Sequence, residues 1–308
     1  MRNNFKVYLI ASLTVCLWGI SFLFSNTLLK QGVPTEFFVP VRIFLTAVAL
    51  FVADLVETGN LKFLKIKRED VWKFFLMSLF EPFLYYLLEG YGIMYTESPA
   101  FSSLIIGLIP MFSVLAGVFF LREKLTRMNV FGVIVSFVGV VMVTLKRPEN
   151  CPSTFFLGLG LLLLAVFAEV GYASMTNLIS RGYSAITITM YQFVLGSIWF
   201  IPVFIHKGLP AVELESVISW SVVGPIAFLT LFCTLLSFTF WTFVIRRLGV
   251  AKSGMFQALN PVVTAVVGVL VGQEILCGWQ WAGVGITVFG VLSSQLRIPK
   301  RFKKQRLA

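Results

Sequence analysis

AFSSLIIGLIPMFSVLAGVFFLRE (residues 100–123) and AKSGMFQALNPVVTAVVGVLVGQE (residues 251–274) are two copies of one pattern. At a shift of 151 residues, Ala100 falls on Ala251, Ser102 on Ser253, Leu108 on Leu259 and Pro110 on Pro261. The match continues through Gly117 with Gly268, Val118 with Val269 and Glu123 with Glu274. Beyond the quoted stretches, Gly132 meets Gly283 and Gly139 meets Gly290. Shared greasiness does not align prolines, glycines and a glutamate without a gap, so the chain is read as a duplication. Nearer the amino terminus Gly32 meets Gly182, a shift of 150, so one residue is gained in between.

Working outward from this pair, the flanking sequence is a series of long apolar runs. A bilayer core of about 30 Å requires roughly 20 apolar helical residues per crossing. Ten such segments are predicted, at 7–29, 35–56, 71–95, 99–121, 129–146, 154–179, 184–206, 217–243, 249–272 and 279–296. Short polar interruptions separate them, among them Gln31 to Pro34, Arg122 to Arg127, and Arg246 to Gly249. In hydrocarbon every backbone amide needs an internal partner, so runs of this length are helices. The short alternation of barrel strands is not seen. The predicted fold class is an all-α membrane protein of ten transmembrane helices. Its units are a first five-helix repeat (1–148), a second, inverted repeat (149–298) and a basic cytoplasmic tail (299–308).

Composition agrees. Of 308 residues, 58% are hydrophobic and only 13% charged, with a mean hydropathy of +0.90. The net charge of +11 does not mark a nucleic-acid binder, because the basic residues form short clusters between apolar runs rather than an aromatic-interleaved patch. Four cysteines, Cys16, Cys151, Cys233 and Cys277, have no metal-ligand spacing, and one histidine, His206, supplies no HExxH zinc site. No metal and no cofactor are expected. The first apolar segment is too long for the core of a cleavable signal.

Lysine and arginine set the orientation. With both termini inside, 20 basic residues are cytoplasmic, including six between Arg297 and Arg306, and four (Lys30, Lys146, Arg147, Lys207) are outside. Arg42 falls within a span. Five spans per half, an odd number, place the halves in opposite orientations. The charges agree independently: Arg122, Lys124 and Arg127 surround Glu123, whereas their mates Gln273, Ile275 and Gly278 carry no positive charge. The tail, Lys300 to Lys304, is expected to rest on anionic lipid headgroups.

This duplicated arrangement resembles the ten-helix drug/metabolite transporter superfamily, in its EamA-type branch, over nearly the whole chain. The resemblance rests on Trp18-Gly19, on Ala100 through Pro110 to Glu123 with Gly132 and Gly139, and on Ala251 through Asn260-Pro261 to Glu274 with Gly283 and Gly290. It implies an exporter of amino acids or other small metabolites, with a central cavity lined by the first, third, fourth, sixth, eighth and ninth spans. The sixth span departs from the first: Ala168-Glu169 stands where Trp18-Gly19 does.

Charges inside spans are the first functional candidates, because each is unfavourable by roughly 2.5–3.5 kcal/mol at mid-helix. Glu81, Tyr85 and Glu89 share one face of the third span, with Pro82 able to open that helix locally. Glu169 lies near the middle of the sixth, one turn from Tyr172. Facing a wet cavity, such carboxylates suit a cationic group or a coupling proton. The plain alternative is a structural hydrogen bond, or an ion pair with Arg42. On the ninth span, Gln257 and Asn260 precede Pro261, whose missing donor frees a carbonyl for polar substrate. The fourth span has Pro110 but offers Ile106 and Ile109, and its proline is equally well a packing kink. Trp18, Tyr85, Tyr86, Tyr172 and Trp241 are candidates for stacking on a ligand, against the alternative that they fill space among 32 phenylalanines. Trp72, Trp220, Trp279 and Trp281 read as interfacial anchors. Glu123 and Glu274 read as helix-end caps before gates. The glycines at 132, 139, 283 and 290 form a small-residue stripe for helix contact. A Cys151–Cys277 disulfide is not expected.

A membrane enzyme needs a nucleophile, base and metal set, and none is visible. A channel needs a selectivity ring, and none is visible. No GxxxxGK[ST] loop supports ATP-driven pumping. The expectation is a secondary transporter, an exporter of small metabolites such as amino acids by alternating access, with proton coupling open. A uniporter or exchanger of nucleoside-type or cationic compounds is the alternative. Expected partners are a small-molecule substrate, membrane lipid and protons, with no nucleic acid; the chain is expected as a monomer or homodimer in the cell inner membrane.

Overall fold

The computed structural model describes residues 2–58, 66–97, 99–122, 126–144, 153–213, 217–272 and 277–295. Among them there is no strand. The helices are α1 (Arg2–Lys30), α2 (Thr35–Thr58), α3 (Arg68–Thr96), α4 (Pro99–Ile106), α5 (Ile109–Phe119), α6 (Arg127–Thr144), α7 (Phe155–Ile179), α8 (Ala185–Ala211), α9 (Trp220–Leu248), α10 (Val250–Leu270) and α11 (Gly278–Gln295). Seven of these (α1, α2, α3, α7, α8, α9 and α10) are long and apolar enough to cross a membrane. At 1.5 Å per residue, the 25 residues of α7 reach about 38 Å, beyond the hydrocarbon core.

Boundaries differ from the sequence reading where a basic residue suggests a loop. The helix of α9 runs through Arg246 and Arg247 to Leu248, since long cationic side chains at a helix end favour the carbonyl-rich terminus. Gly249, at φ 83°, then turns the chain into α10, a conformation that only glycine adopts without strain. Within the span read at 99–121, Gly107 and Leu108 form a turn between α4 and α5, just before Pro110.

Apolar side chains face outward in rows. Phe5, Leu9 and Leu13 make one such row on α1, and Phe156, Leu157 and Leu164 stand exposed on α7. A water-soluble protein does not present so much contiguous apolar surface; lipid tails are its natural cover. Trp72, Trp220, Trp279 and Trp281 are exposed near helix ends, where indole suits the headgroup level.

The tightest helix pair is α6 with α11. A Cβ on Gly132 would come to 2.5 Å from the Gly290 carbonyl oxygen, and one on Gly139 to 2.7 Å from that of Gly283. Each glycine thus meets the repeat mate of the other, so the two helices run antiparallel. Ser136 and its own mate Thr287 meet at the crossing, the Ser136 hydroxyl reaching the Thr287 carbonyl at 3.4 Å. Backbones approach this closely only where side chains are nearly absent.

Among the described residues, three helices carry wide turns: Leu79–Leu84 in α3, Phe204–Gly208 in α8 and Leu229–Leu236 in α9. Each has a proline within it or shortly before it: Pro82, Pro202 and Pro225. A proline removes one helical donor and pushes away the carbonyl four residues earlier, which a wider turn accommodates. In α9, hydroxyls occupy the displaced carbonyls: Thr234 donates to Leu229 at 2.9 Å and Ser237 to Phe232 at 2.7 Å.

Candidate functional site

The site is assembled by these helix interruptions. In α3, Glu81 leaves the helix altogether, with φ −147° and ψ 122°, and the Glu81–Pro82 peptide is cis. A residue before proline avoids the helical region, so this carboxylate projects from a break rather than from a regular turn. In α9 the wide turn includes Cys233, and the Trp18 indole N–H donates to its carbonyl at 2.9 Å. In α10 a tight turn over Met255–Leu259 precedes Asn260-Pro261. Thr264, one turn on, donates to the Gly19 carbonyl at 2.8 Å and ties α10 to α1.

Together they enclose a central cavity lined by Trp18, Ser21 and Phe22 of α1, Glu81, Tyr85, Tyr86 and Glu89 of α3, Glu169 of α7, Phe238 of α9, and Gln257 and Asn260 of α10. Its volume is about 20 Å³, room for one or two waters and too small for a metabolite. The conformation is therefore closed around its polar groups. The three carboxylates are 2%, 7% and 3% exposed for Glu81, Glu89 and Glu169. The Gln257 amide donates to Glu169 at 2.6 Å, and the Tyr85 hydroxyl to Glu89 at 2.8 Å. Glu81 Oε2 and Asn260 Oδ1 are buried with no partner. Buried polar atoms without partners are exceptional. Here they face the one place where a ligand group or water would satisfy them.

Eight residues singled out in the sequence (Trp18, Glu81, Tyr85, Tyr86, Glu89, Glu169, Gln257 and Asn260) meet in this one cavity. Trp241 and Tyr172 stand behind its wall. Trp241 packs edge-on against Trp18 at 5.0 Å, and Tyr172 against Phe238 at 6.1 Å. Pro82 and Pro261 adjoin lining residues, whereas Pro110 does not. The fourth span, expected in the lining, contributes none of the lining residues: Ile106 and Ile109 are buried in the apolar core. Among the described residues, Arg42 forms no ion pair with a carboxylate either. Arg42, 2% exposed, donates to the Thr234 hydroxyl at 2.9 Å and to the Tyr86 hydroxyl at 2.8 Å, with its guanidinium 4.3 Å from the Tyr86 ring. Glu123, Glu274 and Cys151 lie outside the described residues; Cys277 is a free thiol.

Sequence reasoning missed Ser21, Phe22 and Phe238. The first two lie three and four residues after Trp18, on its helix face, so helical spacing would have found them. Phe238 has no such signal, being one phenylalanine among 32.

Known proteins share this architecture. A solved crystal structure that is 17% identical superposes with a TM-score of 0.76, covering 96% of this chain and 99% of its own; at that identity it speaks for the fold. An uncharacterized transporter of Archaeoglobus fulgidus is 28% identical, over 93% of this chain and 97% of its own. The uncharacterized transporter YyaM of Bacillus subtilis is 27% identical, over 85% and 86%. A family profile matches twice, at residues 5–145 and again at 156–294, reproducing the duplication read from the prolines and glycines. The chain is a multi-pass membrane protein that belongs to the EamA-like transporter family.

Proposed function

We propose that the chain is a secondary transporter that exports small metabolites such as amino acids by alternating access, with cavity carboxylates exchanging protons against substrate. The observation that carries this reading is the position of the cavity. Its lining comes from both repeats, with Trp18, Glu81 and Glu89 from the first and Glu169, Gln257 and Asn260 from the second. A site between two repeats can be exposed to either side by rocking one against the other. In this reading the body has ten spans, α4 and α5 forming one interrupted crossing, and the halves at 1–148 and 149–298 are inverted. Both termini are in the cytoplasm, and the protein works in the cell inner membrane. The antiparallel meeting of repeat mates in α6 and α11 supports the inversion.

The chemistry favours a substrate with a cationic group beside an apolar or aromatic body. Three carboxylates supply charge, Trp18, Tyr85, Tyr86 and Phe238 supply ring faces, and Gln257 and Asn260 supply amide dipoles. An amino acid meets this description through its ammonium. Organic cations meet it too, and the same rings would stack on a nucleoside base, which keeps exchange of such compounds as the second reading.

Reconstitution into liposomes tests the proposal, with flux of a mixed metabolite panel measured with and without an imposed pH gradient. Flux that follows the gradient and collapses in Glu169→Gln is the expected result. Saturable flux indifferent to pH would remove the proton from the mechanism. Folded protein that moves no compound of the panel would count against transport itself.

A further inference from the structure

Not every unpartnered polar group faces the cavity. Both polar atoms of Gln192 are buried without a hydrogen bond, and the buried polar groups of Tyr172, Thr176 and Trp241 find their hydrogen bonds inside the bundle. None of these four residues lines the cavity. Tyr172, Thr176 and Gln192 are fully buried and Trp241 is 1% exposed.

Their positions are not scattered. Tyr172 and Thr176 stand one turn apart on α7, three and seven residues past Glu169, about 4.5 and 10.5 Å along the helix axis. The Tyr172 hydroxyl hydrogen-bonds with Thr176 and Thr242, and the Trp241 indole with Glu169. Thr242, the neighbour of Trp241 on α9, meets Thr189 of α8 hydroxyl to hydroxyl at 3.1 Å. Gln192 follows Thr189 by three residues on the same face of α8. The groups therefore continue from the cavity towards one end of the bundle, where α7 ends, α8 begins and α9 ends.

Both ends of this line are closed. Towards the cavity stands Phe238, whose ring meets Trp18 at 5.1 Å, Phe193 at 5.3 Å and Tyr172 at 6.1 Å. At the far end the α7–α8 loop is latched. The Tyr183 hydroxyl donates to Asp70 at 2.9 Å and accepts from the Lys67 amide at 3.0 Å. Lys73 holds the other Asp70 oxygen at 2.6 Å, and Arg246 reaches the Tyr183 carbonyl at 3.4 Å.

In a bilayer, a row of buried hydroxyls that bond only to one another, beside an amide with no partner, suits a place that water or a polar solute occupies in another conformation. We propose that Tyr172, Thr176, Thr189, Gln192 and Thr242 line a closed polar passage between α7, α8 and α9, by which water and hydrogen-bonding solutes pass between the cavity and the face of the membrane bearing the basic tail. Phe238 is its inner barrier and the Tyr183–Asp70 contact its outer latch. The assignment rests on the transporter reading but is tested without any substrate.

The experiment places single cysteines in a chain whose native cysteines are replaced, and treats oriented membrane vesicles with a charged, impermeant methanethiosulfonate. Lys303→Cys reports the tail face, and Ile198→Cys, on the exposed side of α8, is the unreactive control. Gln192→Cys and Thr176→Cys are expected to react from the face that labels Lys303→Cys, and at least about fivefold faster when Tyr183→Phe releases the latch. Reaction from the opposite face alone, or from neither, overturns the passage. Should the cysteine variants fold poorly, Thr176→Val and Gln192→Met in the native chain decide it. A passage predicts a melting midpoint raised by roughly 2 °C in Gln192→Met, because a dry unpartnered amide has been removed, together with slower labelling of Ser21→Cys from the tail face in both variants. Lowered midpoints with unchanged labelling would make these side chains structural. Labelling as expected without flux of any metabolite leaves the passage standing and sinks the transporter reading; flux without labelling does the reverse.

Discussion

The segment around Pro110 and the segment around Pro261 share a backbone plan and part company in chemistry. Both interrupt the helix just before the proline, by the turn at Gly107-Leu108 in one and the tight turn over Met255–Leu259 in the other. At the matching positions the first has Ile106 and Ile109, sealed in the apolar core, and the second has Gln257 and Asn260, facing the cavity. The difference teaches that the duplication preserves the path of the chain and leaves each half free to supply different groups. Here the second repeat provides the amides and one carboxylate, and the first provides two carboxylates and most of the rings.

The largest effects are expected where the asymmetric chemistry is removed. Glu169→Gln should lower proteoliposome flux by about 100-fold, the loss anticipated when an interaction of roughly 2.7 kcal/mol is deleted, with the melting midpoint nearly unchanged; a variant transporting at full rate would move the site elsewhere. Next is the symmetric scaffold. Gly139→Leu forces a side chain into the backbone of α11 and should destabilise by about 3 kcal/mol or more, read as a large fall in thermal midpoint. A fall no greater than that of an exposed substitution such as Ile134→Ala would show that the α6–α11 contact is looser than described. Exchanging the chemistry of the mates sharpens the comparison further. Ile106→Gln buries an amide among apolar groups and should lower stability by about 1–3 kcal/mol. Gln257→Ile strips Glu169 of one donor and should lower flux about tenfold, the effect of one lost hydrogen bond of roughly 1.4 kcal/mol. Equal behaviour of the two would erase the distinction. The smallest effects belong to the prolines: Pro110→Ala should alter flux less than about twofold, and Pro261→Ala somewhat more, since its break presents Asn260.

Much of the fold was legible because it is written in residues with unusual backbones or no side chains. Pro110 and Pro261 dictate where a helix breaks, and Gly132, Gly139, Gly283 and Gly290 dictate where two helices touch; such constraints survive in a single sequence. Glu81, Glu89 and Glu169 were legible for an energetic reason, since an ionisable group inside a span has few places to go. Phe238 and Thr234, the α9 partner of Arg42, were not legible, because they depend on which face of α9 its wide turn presents. That turn takes its position from Pro225 acting with Thr234 and Ser237, a combination without a sequence signature. The fourth span was assigned to the lining by resemblance, and its own isoleucines, at the positions of Gln257 and Asn260, are what place it in the core.

The central claim is that one cavity between the repeats is reached from each side of the membrane in turn. Labelling of Ser21→Cys, which alters the cavity lining without removing a carboxylate, tests it most directly. The measurement applies an impermeant thiol reagent to one face of sealed vesicles at a time, with ion leak recorded in parallel. The account predicts reaction from either face and no leak, the behaviour of a site that opens alternately. Reaction from a single face would make the cavity a dead-end pocket, and reaction from both accompanied by a steady ion leak would make it a pore; either result contradicts the account.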